Sequence, residues 1–465
     1  VRLTGNFDDY TGPLSGGSHV YKLVMHSDPV LFPAYYPEDS EHVGIKHIMF
    51  GNYDDGSYIN PYAQMVRGYR DYDRSQMIAA LELNQKLDFI TPGLNFMSQF
   101  NLTRYSDFSI YRSFQPYWYA LGSYDSYTGE YHITRLNENG TDYLTYGEGQ
   151  KNVISTMYSE NRLNWMREFG RNTVSGLLVF TVREQLEANA GSLQLSLPSR
   201  NAGLAGRFTY GWDGKYFSEF NFGYNGSERF SKSHRWGFFP SFGLAWVVSK
   251  EEFFKPLQNT FSNLKLRYSY GLVGNDNIGS KYNRFYYLSE MNMTDGNRAS
   301  YFGENRGISY SGISVIRYAN DAITWEKSLK RNYAAEIGLF GKVDIIAEYF
   351  TEDRSDIFMN RADITNTMGL QSTISANIGK ASARGVDIQA DYKQVWNKDF
   401  WSSARANFTY ATSKYKVYEE PEYKEPWRLH RGYSIKQTWG YIAERLFIDD
   451  EEAANSPSQD RKSVV

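Results

Sequence analysis

No cysteine occurs in the 465 residues, which excludes disulfide staples and thiolate metal sites and leaves size or closure of the fold as the source of stability. Long hydrophobic runs are missing as well. Stretches such as Gly243 to Val248 are among the longest, far short of the roughly 20 apolar residues that a spanning helix requires. Charge is balanced: 50 Lys and Arg stand against 53 Asp and Glu, a net −3. With no basic stripe, nucleic-acid binding through phosphate neutralisation is excluded. The chain opens at Val1 in polar, turn-like sequence with neither an initiator Met nor a leader pattern, so further sequence is expected upstream.

Aromatic residues are plentiful, at 17% of the chain with 39 Tyr, 29 Phe and 10 Trp, inside a hydrophobic total of only 41%. That combination suits strands with one apolar face better than Leu- and Ala-rich helices. In residues 204–224, LAGRFTYGWDGKYFSEFNFGY, the even positions carry Leu204, Phe208, Tyr210, Trp212, Tyr216, Phe220, Phe222 and Tyr224. The odd positions carry Arg207, Thr209, Glu219 and Asn221. Strand side chains alternate faces, so this is a hairpin with a ring face and a polar face, turned at Asp213-Gly214. The same period recurs at Leu264, Leu266, Tyr268 and Tyr270 against Lys265, Arg267 and Ser269, and at Val386, Ile388 and Ala390 against Asp387, Gln389 and Asp391.

About a dozen such strands are expected, near 77–87, 94–103, 161–169, 173–183, 204–212, 216–224, 242–248, 264–272, 333–340, 343–350, 384–394 and 400–410. Each is close to the ~9–11 residues of a tilted membrane strand. Tight links (Asp88–Gly93, Gly170–Asn172, Asp213–Lys215, Gly341-Lys342, Val395–Asp399) alternate with long polar ones (104–160, 184–203, 225–241, 273–332, 351–383). The exception, 249–263, is of medium length and is expected to hold a short helix. Loops sorted by side mark an outer-membrane barrel; a sandwich has no reason to sort them. The expected fold is therefore all-β, an antiparallel transmembrane β-barrel with short periplasmic turns and long extracellular loops. Trp212, Tyr216, Trp246 and Trp401 near strand ends fit interfacial girdles, and equally ordinary hairpin-end packing.

Catalytic patterns are thin. His42 and His47 lack metal-site spacing and read as solvated loop residues, no phosphate loop or nucleophile elbow appears, and Asp449–Glu452 is too irregular for a calcium loop. No enzyme, metal or cofactor is expected. The segment 105–131, YSDFSIYRSFQPYWYALGSYDSYTGEY, offers Tyr111, Tyr117, Trp118, Tyr119, Tyr124 and Tyr127 for stacking on sugar rings or gripping extended peptides. The alternative is that these rings pack loop on loop. Arg207, Glu219, Asn221, Lys265, Arg267, Asp387 and Gln389 are the candidate lumen-lining residues.

The blocks WGFFPSFGLAWVVSKEEFF (236–254), LKLRYSYGLVGNDNIG (264–279), ITWEKSLKRNYAAEIGLFG (323–341) and NIGKASARGVDIQADY (377–392) occur in that order, with NPYA at 60–63 upstream and GYSIKQTWGYIAERLF at 432–447 downstream. This series resembles the barrel of SusC/RagA-type TonB-dependent transporters of Bacteroidota. The resemblance implies a 22-stranded barrel in the outer membrane of a Gram-negative bacterium, a plug domain, and a SusD-like lipoprotein lid. It further implies drive from TonB–ExbB–ExbD, import of glycans or peptides, and a dimer of transporter–lid pairs. It carries over no catalytic residue. Residues 1–465 are then expected to be a partial barrel domain, with the plug, the TonB box and the final strands outside this chain. The rivals are a secreted carbohydrate-binding or adhesive β protein, whose ring faces pair between sheets, and a passive porin.

Overall fold

The computed structural model describes residues 1–456 apart from 281, 282, 441, 442 and 444, so part of the block 432–447 and the terminal DRKSVV lie outside the described residues. The chain forms strands β1 (Arg2–Pro13), β2 (Tyr35–Tyr36), β3 (Met49–Gly51), β4 (Gly68–Lys86), β5 (Leu94–Ser113), β6 (Tyr117–Tyr124) and β7 (Tyr131–Arg135). It continues through β8 (Thr145–Phe169), β9 (Asn172–Glu187), β10 (Ser199–Trp212), β11 (Tyr216–Ser227), β12 (Trp236–Val247) and β13 (Phe261–Asn275). The remaining strands are β14 (Glu290–Phe302), β15 (Ile308–Arg317), β16 (Glu326–Leu339), β17 (Val343–Asn360), β18 (Ser375–Val395) and β19 (Trp401–Val417). One 13-stranded antiparallel sheet runs β1-β4-β5-β8-β9-β10-β11-β12-β13-β16-β17-β18-β19, each strand beside its neighbour in the chain apart from the small inserted strands. Two inserts stand apart: β2-β3-β6-β7 form a four-stranded sheet, and β14-β15 a hairpin.

Links at one rim are 87–93, 170–171, 213–215, 248–260, 340–342 and 396–400; at the other they are 14–67, 114–144, 188–198, 228–235, 276–325 and 361–374. The sorting by side expected from the sequence is thus present. Asp213 and Gly214 have φ of 55° and 62°, the paired left-handed conformation of a tight hairpin turn whose twist matches its strands. The medium link carries two 3-10 turns, Val248–Lys250 and Glu252–Leu257, in place of one short helix.

The strands differ from expectation in length and number. β8 has 25 residues and β18 has 21; at about 3.4 Å per residue, β8 extends some 80 Å, well beyond an apolar band of about 25 Å. Much of 104–160, expected as one long connection, is therefore the outer halves of β5 and β8. These halves carry no clean apolar alternation because the side chains covered there are polar: Asp107 and Ser109 are buried, while Phe108 between them is exposed. β1 was not foreseen for a related reason: RLTGNFDDYTGP has apolar side chains at scattered positions, and its ladder with β4, Arg2 opposite Ala80 through Pro13 opposite Tyr69, places it.

The ring face is uncovered. Phe208, Phe220, Phe238, Phe242 and Leu266 are each between 41% and 53% exposed, and among the described residues no second layer lies over them. A sandwich would have buried these side chains. Two ring clusters bound this face on adjoining strands. Tyr216 stacks on Trp246 at 6.2 Å beside Trp212, and Tyr224 stacks on Trp236 at 4.9 Å. Tyr216 and Tyr224 lie eight residues apart on β11, about 27 Å along the strand and about 20 Å after a typical barrel tilt, which matches the girdle spacing of a membrane band. Trp401 starts β19 with its side chain exposed.

Glu251 anchors the first cluster, accepting hydrogen bonds from Tyr216 Oη (2.7 Å), Trp246 Nε1 (3.2 Å) and Lys215 Nζ (3.3 Å). Donation by Tyr216 and then Trp246 holds its carboxyl below the ordinary glutamate range. A depressed folded-state pKa stabilises the protein above the unfolded value, about 4.3, and that contribution is lost as pH falls through the folded value. Glu251→Gln is expected to flatten this acid limb; acid titrations of both proteins, followed by Trp fluorescence, would differ below about pH 4.3. Superimposable curves would disprove the assignment.

Candidate functional site

Opposite the rings, the same strands carry a connected polar surface. Register sets Arg207 against Asn221 and Thr209 against Glu219. Glu219 accepts hydrogen bonds from Arg207 Nη2 (2.6 Å) and Asn221 Nδ2 (2.7 Å). Two strands on, Arg267 lies between two carboxylates, 2.6 Å from Glu336 and 2.7 Å from Glu348. Lys265 Nζ is 3.5 Å from Glu336, and Asn332 Nδ2 donates to Glu348 at 2.9 Å. On β18, Gln389 Nε2 donates to Asp391 (2.6 Å), which also accepts from Arg405 Nε (2.5 Å), while Asp387 sits in register between Glu348 and Thr409.

All seven residues singled out for the polar face therefore lie on one side of one sheet, opposite the rings. Three of them, Arg207, Glu219 and Arg267, line a common concavity of about 500 Å³ with Asn332, Thr173 and Thr209; the other four lie outside it. Arg207 is 57% exposed, and an ion pair that wet contributes under about 1 kcal/mol to stability. Its consequence is the local field and hydrogen-bonding character of the surface.

The loop aromatics divide. Tyr111 is on β5 and covers Gly147 of β8, its register partner: a Cβ there would sit 2.0 Å from the Tyr111 ring. Tyr117, Trp118 and Tyr119 belong to β6. Tyr119 is 1% exposed and its hydroxyl is 2.9 Å from His47 Nε2. Tyr117 stacks on His47 at 4.0 Å, and Trp118 packs on Phe50. His47, read from the sequence as solvated, is instead inserted between two tyrosines; burial pushes its pKa down, with Arg135 adding to the effect. His42 pairs with Asp39 at 2.7 Å. Tyr124 and Tyr127, at and beyond the end of β6, are 62% and 99% exposed.

Asn60 locks this inserted sheet to the segment before it. The side chain is 1% exposed, caps helix α1 (Pro61–Val66) through the Ala63 N–H, and donates to the carbonyls of Ala34 and Gly51, both at 2.8 Å. Nothing in the local pattern distinguishes this Asn from a turn residue, because two of its partners are far from it in the fold until the sheet forms. Asn60→Ala is expected to cost about 1–3 kcal/mol, read as earlier proteolysis within 14–67; unchanged protection would show that the cap is dispensable.

A meander of amphipathic strands with side-sorted links, an uncovered ring face and an ion-paired polar face defines the wall of a membrane β-barrel. Residues 4–439 match the family model described as TonB dependent receptor-like, beta-barrel, and the chain belongs to that family. It is similar to TonB-dependent receptor P3 of Formosa agariphila, 28% identical over 298 residues that make up 58% of this chain and 28% of that protein. TonB-dependent receptor SusC of Bacteroides thetaiotaomicron is 32% identical over 208 residues, 44% of this chain and 20% of that protein. Among solved structures, the RagAB peptide transporter aligns with a TM-score of 0.58 at 17% identity, covering 85% of this chain and 41% of that one, a likeness of fold. The chain spans between a fifth and a little over a third of the length of the curated relatives it matches. Among the described residues no helix is long and apolar enough to cross a membrane.

Proposed function

We propose that this chain forms part of the barrel of a SusC-like, TonB-dependent nutrient importer in the outer membrane of a Gram-negative bacterium. Residues 1–465 supply a partial barrel domain that works with a plug, a TonB box and closing strands. A SusD-like surface lipoprotein captures oligosaccharide or peptide cargo, and TonB–ExbB–ExbD displaces the plug. The single observation that carries this reading is the two-faced sheet, rings uncovered on one side and charges cross-linked on the other. Membership of the family and the likeness to SusC and RagAB support it.

Arg207, Glu219, Asn221, Lys265, Arg267, Asp387 and Gln389 line the lumen in this reading and set its polarity. Tyr124 and Tyr127 present open ring faces to cargo, and Tyr111 keeps a partly open one. Tyr117, Trp118 and Tyr119 hold the loop sheet that carries them. Uptake of labelled oligosaccharide and peptide mixtures in cells with and without TonB tests the proposal. Uptake that stops without TonB is expected; uptake that persists would replace the importer with a passive porin, and a protein recovered without detergent would replace it with a secreted binder. Arg267→Ala leaves Glu336 and Glu348 without their guanidinium and is expected to slow entry of anionic cargo about twofold to tenfold relative to neutral cargo. Equal slowing of both would remove Arg267 from the path.

A further inference from the structure

A second concavity of about 610 Å³ opens on the polar face at the long-link rim, within the range of about 300–1,000 Å³ typical of small-molecule sites. Several separate parts of the chain build it, and its charged groups come from three of them. β9 contributes Arg183 and Glu187, the 228–235 link contributes Arg229, and the segment after β13 contributes Asp276 and Arg284. Asn201 of β10 stands in register with Arg183 and donates to Asp276 at 3.0 Å. Counting Arg207 as six residues along β10 from Asn201, this cavity lies about 20 Å from the first along the strand.

The cationic side of the wall is incompletely satisfied. Arg284 is 9% exposed, donates from Nη2 to the carbonyl oxygens of Gln194 and Leu197, and lies 5.0 Å from the ring of Phe285, yet its buried Nε has no partner. Arg229 Nη1 donates to the carbonyl of Ile278 at 3.0 Å, and Arg183 Nη2 to the side-chain oxygen of Gln185 at 3.0 Å. Among the described residues none of these three guanidiniums forms an ion pair. Neutral acceptors leave a buried cation poorly compensated. Burial, and then the charge of Arg229, push the Arg284 pKa down, with Glu187 opposing. Three guanidiniums against the carboxylates of Glu187 and Asp276 make the wall net cationic, and the flat fork of a guanidinium matches a carboxylate.

We propose that this cavity is a subsite for a carboxylate carried by the imported molecule. The proposal rests on the importer reading above. A uronic acid unit and a peptide C-terminus share that chemistry, and the test separates them. Full-length protein in detergent is titrated calorimetrically with trigalacturonate and its methyl ester, and with a tripeptide and its C-terminal amide. In one of the two pairs the charged member is expected to bind at least about tenfold tighter than the neutral one, an advantage that shrinks as salt rises. Arg183→Gln and Arg229→Gln, checked for unchanged melting, should each reduce that ratio to about threefold or less. Equal binding within both pairs, a ratio unaffected by both substitutions, or no saturable binding up to about 10 mM would overturn the proposal. Normal TonB-dependent uptake alongside such a result would sink the subsite alone; loss of that dependence would sink the importer reading instead.

Discussion

Phe220→Arg is expected to destabilise the protein in a bilayer by about 2–4 kcal/mol, and Asn221→Arg, one residue on, by less than about 1 kcal/mol. Phe220 lies four residues from each of the ring clusters at Tyr216 and Tyr224, hence near the middle of the apolar band. Its register partners are Phe208 and Phe242, so the substituted guanidinium would find apolar rings on both sides. Asn221 points to the other face, beside Glu219, where a second cation meets water and a carboxylate. Denaturant titrations after refolding into lipid vesicles would report both values. The informative quantity is their difference, since a general intolerance of Arg on β11 would raise both. Similar costs for the pair would mean that the rings do not face hydrocarbon.

The second large effect lies away from the membrane. Trp325→Ala is expected to cost about 3–5 kcal/mol and to expose the 228–235 and 276–289 segments to protease. Trp325 is 6% exposed; its ring meets Phe230 and Phe239, each at 5.3 Å, and its Nε1 donates to the carbonyl of Arg235 at 3.1 Å. Ile278, Tyr286 and Ile323 complete the cluster, and Phe239 is received by Gly274, where a Cβ would come within 2.0 Å of the ring. Two long links, 228–235 and 276–325, are thereby fastened to β12 and β13 on the polar-face side. Trp236→Ala serves as a control, because Trp236 is 47% exposed and stacks on Tyr224 alone among nearby rings. A small cost at Trp325, or protease sensitivity equal in both variants, would show that the cluster does not hold the links. The same fastening shapes the Arg284 cavity, so loss of Trp325 should also weaken any carboxylate binding there.

The wall of this protein was legible because its signal is local. A period of two with an apolar and a polar class needs no knowledge of the partner strand, and it located the hairpin of β10 and β11, the parity of Arg207 and Glu219, and the tight turn at Asp213-Gly214. Link lengths added the sorting by side. The outer halves of β5 and β8 escaped because, beyond the apolar band, the covered side chains are polar ones such as Asp107 and Ser109 while Phe108 is exposed, so the apolar alternation fades. β1 escaped because an edge strand is recognised by its ladder. The loop aromatics were found as a group but not resolved into their two kinds: Tyr119 and Tyr127 look alike in a segment of Tyr, Ser and Gly, and only the approach of β3 and His47 buries the first and leaves the second open.

Phe238 and Phe239 show where the division falls. Alternation alone places these adjacent rings on opposite faces, and it does so for every strand of the sheet, because successive side chains of an extended backbone must point apart. It says nothing of what each face will meet. Phe238 remains 53% exposed while Phe239 is reduced to 8%, since Trp325, some ninety residues on, folds over one and nothing in the described chain folds over the other. The sequence by itself determined the two-faced strand, its turns and its charge balance. The tertiary structure decided which polar groups meet as ion pairs, which rings become core, and where three arginines from distant segments converge, because contacts across many residues depend on strand order and register, which no single stretch encodes.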